Sequence, residues 1–160
     1  MMAKFKEIKN DKSNLEEADC LIVVLLSHGK EDAVYATDRE IKITTLMNEF
    51  SATKCPELIQ KPKLFFIQAC RGSQIGSGAN LRMVRDEDPN QTDATADYKE
   101  YDKIFGEVVR IPNEADFLAV YATSHGYGSF RNTEKGSAFV RVLSEEMIKM
   151  KKGEDFYHVL

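Results

Sequence analysis

Two residues of this chain carry the chemistry of a nucleophile and its proton partner. Cys70 lies in Gln68-Ala69-Cys70-Arg71-Gly72, and His28 lies in Ser27-His28-Gly29. A thiolate beside an imidazolium is a reactive nucleophile, because histidine exchanges protons near neutral pH. Gly29 and Gly72 let backbone approach a ligand closely. A backbone N–H there would then hold a developing oxyanion, a major electrostatic contribution to acyl transfer. A lone cysteine is more commonly a packed core residue. On that basis Cys20, inside an apolar run, reads as core, and Cys55, before Pro56, reads as incidental. His125, in Ser124-His125-Gly126, repeats the triplet around His28 and is a rival proton partner.

The elements that must position these residues follow from hydrophobic period. Residues 20–26 form a continuous apolar run rich in branched side chains, which reads as a strand buried on both faces. Residues 63–68 are a second run and 116–122 a third. Between the first two, Ile43, Leu46, Met47 and Phe50 repeat as one helix face. After the third, Phe139, Val140, Leu143, Met147, Ile148 and Met150 repeat likewise over 137–152. Strand, helix, strand, loop, strand, helix predicts an α/β fold with a parallel sheet. His28, Cys70 and the segment 123–131 all follow strand ends, the edge where open α/β sheets gather their ligand sites.

Composition narrows the function further. The chain has 160 residues, 42% hydrophobic and 30% charged, with a net charge of −4. That size suits one domain. The acidity argues against partners such as nucleic acid or an anionic membrane. Three separated cysteines and three histidines give neither metal-ligand spacing nor a disulfide framework, so neither metal nor cofactor is expected. Free thiols, the lack of an apolar stretch after Met1 and an apolar run far below about 20 residues make the cytoplasm the expected compartment.

The pentapeptide at 68–72 resembles that of the caspases, and the His28 triplet precedes it by 70 − 28 = 42 residues, near that family's spacing. Tyr127-Gly128-Ser129-Phe130-Arg131-Asn132, followed by Gly136-Ser137, is similar to the family's substrate-binding loop. The resemblance runs from about residue 19 to the end. It implies the three-layer α/β/α caspase-like fold and cleavage of proteins after aspartate, in apoptosis or inflammation. His28 and Cys70 would be catalytic, Gly29 and Cys70 would form the oxyanion hole, and Gln68, Ser129, Phe130 and Arg131 would bind substrate. A guanidinium with neutral donors suits a P1 carboxylate. Arg71 looks structural in the family. Phe130, where tryptophan is usual, and Gly128, where several members are bulky, imply a wider S2 pocket.

Residues 73–110 keep no apolar period and hold Asp86, Asp88, Asp93, Asp97 and Asp102. The resemblance makes them the intersubunit linker between a large-subunit part, 19–93, and a small-subunit part, 111–160, within one domain, 1–160. Processing is expected first after Asp93, before Ala94, then after Asp97; Pro89 disfavours Asp88. Against the family's six strands the chain supplies the central three. The first two and the last are missing, with a second S1 arginine. The complete protein would pair with another caspase-like chain through that last strand. The alternative reading is a truncated, inactive homologue that regulates an active caspase by pairing with it. Metacaspases and paracaspases, which cut after basic residues, would need an acidic pocket where this chain places Gln68 and Arg131.

Overall fold

The structure is a computed structural model that describes residues 1–74, 111–129, 131–132 and 136–156. Two short helices come first, α1 (Met2–Asn10) and α2 (Lys12–Glu17). Each sinks one apolar side chain, Phe5 and Leu15. The main sheet has three parallel strands, β1 (Leu21–Leu26), β5 (Lys63–Gln68) and β6 (Phe117–Tyr121), in the order β1-β5-β6. The segment between β1 and β5 begins with a small antiparallel sheet, β2 (Gly29–Lys30), β3 (Ala33–Tyr35) and β4 (Glu40–Lys42). It continues through α3 (Ile43–Asn48) and a single 3-10 turn, Pro56–Leu58. After β6 come a two-stranded hairpin, β7 (Arg131–Asn132) with β8 (Gly136–Ser137), and the helix α4 (Ala138–Lys149).

The register aligns side chains in rows across the sheet. Leu25, Ile67 and Tyr121 form one row, and Val23, Phe65 and Ala119 the next. Alternation sends both rows to one face. There they meet Phe5, Leu15, Ile43, Leu46, Phe50, Cys55 and Leu58 in a single core cluster. Phe50 stacks at 5.6 Å from Phe5 and 6.5 Å from Phe65. Glu49, just past α3, draws α1 onto this layer by accepting from Lys9 (2.9 Å) and Lys54 (3.1 Å). Those two ammonium groups hold its carboxyl below the usual glutamate range.

Three expectations are corrected. β1 is not buried on both faces: Ile22, Val24 and Leu26 are 49%, 52% and 63% exposed. Among the described residues β1 pairs only with β5, so its continuous apolar run belongs to an outer strand. The strand buried throughout is β5, where all but Leu64 are buried, Lys63 included. Lys63 Nζ donates to the carbonyls of Leu58 and Lys61, both at 2.9 Å, and lies 5.1 Å above the Phe117 ring. Burial pushes its pKa down. The two spare cysteines exchange places. Cys20 is exposed, because it stands in the same alternation as Ile22 and Val24. Cys55 is fully buried, and burial pushes its thiol up to about 11, which keeps it protonated and inert. Lastly, α4 ends at Lys149, and Ile148, expected on its inner face, is 84% exposed.

Candidate active site

β1 and β5 run in register to their last pair, Leu26 with Gln68. His28 and Cys70 therefore each stand two residues beyond the same rung. Neighbouring strands lie about 4.8 Å apart, so one level of one sheet edge carries the imidazole and the thiol. Ser27 is held at this edge by its N–H, which donates to the Gln68 carbonyl (3.1 Å). The chain then turns directly into β2. The Tyr35 N–H donates to the His28 carbonyl (2.8 Å), and Ser27 Oγ donates to the Tyr35 carbonyl (2.6 Å). Gly29 is required where it stands. A Cβ there would meet the Ala33 carbonyl at 2.5 Å, and Ala69 Cβ and the Cys70 carbonyl at 3.0 Å. Backbone of the histidine turn thus packs directly on backbone of the cysteine turn.

The third wall comes from the segment after β6. The Arg71 N–H donates to the Tyr127 carbonyl (2.9 Å), and the Gly126 N–H returns a bond to the Arg71 carbonyl (2.8 Å). Gln74 donates to Gly126 (3.1 Å) and accepts from Gly128 (2.8 Å). This ladder presses Gly72 against Gly126 so closely that a Cβ on Gly72 would lie 2.1 Å from the Gly126 carbonyl oxygen. It delivers Ser129 onto Cys70. The Ser129 N–H donates to Cys70 Sγ (3.4 Å), and Sγ lies 3.8 Å from the Ser129 carbonyl oxygen.

His28, Gln68, Cys70, Ser129 and Arg131 line one cleft of about 750 Å³, together with Ser137 and the apolar Leu26 and Val140. His28 is exposed and Cys70 half-buried. Gln68 is buried, its amide held between Ser129 Oγ, to which Nε2 donates, and Ser137 Oγ, which donates to Oε1. Such an arrangement puts a thiol, a proton carrier, amide donors and a guanidinium around one space, the set that acyl transfer at a carboxylate-bearing substrate requires. Phe130, Asp93 and Asp97 lie outside the described residues. His125 sits elsewhere, with Nε2 3.9 Å from Asp32 Oδ2.

Arg71 does not line the cleft. Its Nη2 donates to Asp32 Oδ1 (2.8 Å), and its guanidinium stacks on Tyr121 with Cζ 4.0 Å from the ring centroid. Arg71 therefore ties β5 to the β2–β3 turn on one side and to β6 on the other. Its hydrogen bond holds the Asp32 carboxyl below the usual range. Burial pushes the Tyr121 phenol up, against the opposing pull of Arg71.

A family model described as Caspase domain matches residues 1–160. The chain belongs to the caspase family. Caspase-7 from Gallus gallus is 44% identical over 132 residues, covering 82% of this chain and 39% of that one. Caspase-6 from Mus musculus is 38% identical over 161 aligned positions, covering 100% of this chain and 55% of the relative. The crystal structure of caspase-1 from Spodoptera frugiperda superposes with a TM-score of 0.74 at 35% identity, over 97% of this chain and 54% of that one. The chain thus spans about half or less of the length of these relatives. The three-layer caspase-like fold, with its mostly parallel sheet, is what the strand order and flanking helices display.

Asp32 escaped the sequence reading, and Ser137 entered it only as part of the loop motif. Asp32 sits in a polar turn with nothing in its neighbourhood to announce Arg71, 39 positions away. Ser137 did carry a signal, a serine just ahead of an apolar helical repeat, which marks an N-cap. The cap is present, with Ser137 Oγ accepting from the Val140 N–H (3.2 Å).

Proposed function

We propose that this chain is the catalytic core of a cysteine endopeptidase that cleaves proteins after aspartate. The observation that carries this reading is the shared cleft of Cys70 and His28 with Gln68 and Arg131. In the reaction Cys70 Sγ, deprotonated with the help of His28, adds to the scissile carbonyl. N–H groups at Gly29 and Cys70 receive the oxyanion, and His28 returns a proton to the leaving amine. Water then hydrolyses the acyl-enzyme, activated by His28. Gln68 and Arg131 receive the P1 carboxylate, Ser129 aligns the substrate backbone, and the family resemblance gives Phe130 an S2 role. The P1 carboxylate is anionic and planar, which a guanidinium with an amide donor matches.

Membership of the caspase family, together with the acidic segment at 73–110, supports activation by internal cleavage. Residues 19–93 then supply the large-subunit part and 111–160 the small-subunit part, with processing after Asp93 or Asp97. The same reading gives the complete protein a second caspase-like chain as dimer partner, a role in cell death or inflammation, and a cytoplasmic site of action. No helix of the described residues is long and apolar enough to cross a membrane.

The test is turnover of fluorogenic tetrapeptides ending in Asp, Glu or Arg, with Cys70→Ala as the control. Cleavage after Asp alone, lost in the control, is expected. Cleavage after Arg, or turnover that survives Cys70→Ala, would overturn the reading.

A further inference from the structure

An aspartate-directed cleft acts only on aspartates that are free to enter it. Among the described residues Asp11 accepts from Asn14, Asp32 from Arg71 and Asp38 from Arg39. Asp116 lies 3.9 Å from Lys63, and Asp155 has a partner and precedes Phe156, whose ring packs on Phe66. Asp19 stands apart, exposed and with no partner among the described residues. Its setting suits a substrate. Ala18 before it is already extended (φ −72°, ψ 138°), and residues 16, 17, 19 and 20 are all exposed. Cys20 follows, small and exposed, as Ala94 follows Asp93. A segment that enters a cleft in extended form must first draw Glu16 and Glu17 out of the last turn of α2. That helix has six residues, no side-chain N-cap bond and one buried side chain, Leu15. So short a helix is marginal by itself, and its last turn opens at low free energy.

We propose that the Asp19–Cys20 bond is a self-processing site, cut by the cleft of a second copy of this chain to leave an N-terminal cysteine. The proposal rests on the reading of the cleft as aspartate-directed and names one substrate for it. The bond between the Asp19 carbonyl carbon and the Cys20 nitrogen breaks as the acyl group passes to the thiol of the acting copy. The Cys20 nitrogen leaves as an amine with the proton from the imidazole, and water then releases the Asp19 carboxylate. This junction differs from the acidic segment at 73–110, because residues on both sides of it belong to the packed domain. Lys61 Nζ donates to the carbonyls of Leu15 (2.8 Å) and Glu16 (2.7 Å), and the Leu21 N–H donates to the Pro62 carbonyl (2.9 Å). Two consecutive residues therefore hold the two sides of the cut. Upstream, Phe5 and Leu15 remain in the core cluster, with Lys9 on Glu49 and Lys12 on Glu57, both at 2.9 Å. Cleavage thus converts a covalent part of the core into a docked peptide without baring the core.

The substrate for the test is the full chain carrying Cys70→Ala, which cannot cut itself. With a small amount of wild type added, it is expected to gain an N-terminus at Cys20. Mass spectrometry reads the new end, and 2-cyanobenzothiazole captures it, because only an N-terminal cysteine condenses with that reagent irreversibly. Asp19→Asn in the same chain should slow the cut by at least about a hundredfold. Lys61→Met should speed it about threefold, since the last turn of α2 then opens more readily. Native gel filtration should keep the two pieces together, and urea should part them. Wild type that cuts an Asp-ending tetrapeptide but leaves Asp19–Cys20 intact would overturn the proposal, as would a cut that survives Asp19→Asn. A rate unchanged by Lys61→Met would overturn the part given to α2, and pieces that separate in native buffer would overturn the docking. Failure on the tetrapeptide as well would instead sink the aspartate reading, and self-processing with it.

Discussion

The two halves of the cleft are built to different standards of packing. Every buried side chain among the described residues, from Phe5 to Ala69, comes before Cys70. After Cys70 none is: all five positions of β6 are half-buried, and α4 has no buried residue. His28 and Cys70 are carried by strands anchored in the core cluster. Ser129, Arg131 and Ser137 belong to the later segment, which holds its place by backbone ladders and a few side-chain bonds. On the proposed reading the chemistry is therefore mounted on the stiff half, and the contacts that would choose the substrate on the compliant half. Backbone-bonded segments with little buried apolar area open at low free energy. Substrate choice here should then be easier to perturb than the thiol–imidazole pair.

The largest effect should come from the stiff half. Cys70→Ala and His28→Ala should each cut kcat/KM on an Asp-ending peptide by on the order of 10⁴-fold or more. His125→Ala should stay within about twofold, because that imidazole faces Asp32. Equal damage from His28→Ala and His125→Ala would break the assignment. Next in size is stability. Phe65→Ala empties a site with no exposure and should cost about 3–5 kcal/mol in urea unfolding. Leu143→Ala, on half-buried α4, should cost under about 1.5 kcal/mol. Equal losses would dissolve the contrast between the halves. Gly72→Ala probes the seam between them. A Cβ 2.1 Å from the Gly126 oxygen forces the two turns apart, at about 1–3 kcal/mol. It should lower turnover more than it lowers the urea midpoint.

The smallest effect is electrostatic. The folded-state pKa of Asp32 is depressed by Arg71. Its contribution is thus fully present above the unfolded value of about 3.9 and is lost as pH falls through the folded value. Asp32 is largely exposed, so solvent screening keeps the contribution under about 1 kcal/mol. Stability of the wild type relative to Asp32→Asn should narrow between pH 6 and pH 3. A gap that widened on acidification would contradict the pairing.

These features differ in how far the sequence announced them. Apolar runs at 20–26, 63–68 and 116–122 are long enough to read as strands, and the turns that follow them carry chemistry that has no place in a core. The common edge, with His28, Cys70 and Ser129 together, followed from that. What stayed hidden depends on neighbours rather than on local pattern. Val24 and Phe66 sit in similar apolar runs, yet one is half exposed and the other buried, because the Phe156 ring covers Phe66 and, among the described residues, β1 pairs only with β5. Cys20 misled because an apolar run does not reveal which face is covered, and Cys55 because its polar neighbours do not reveal that it joins the core. The sheet of β2, β3 and β4 was missed because strands of two and three residues are too short to show a period.

Lys63 gives the sheet a consequence at its opposite end. Its ammonium is caught by the carbonyls of Leu58 and Lys61 at the level where β5 enters the sheet. Sliding β5 by one residue would turn every side chain of the strand to the other face. The ammonium would then leave both carbonyls, and an apolar neighbour, Pro62 or Leu64, would take its place against them. That penalty fixes where the strand starts, and a strand of fixed length that starts at a fixed point must also finish at one. The height at which Cys70 meets His28 is in this sense measured out from the far side of the sheet, by a lysine that never approaches the reaction.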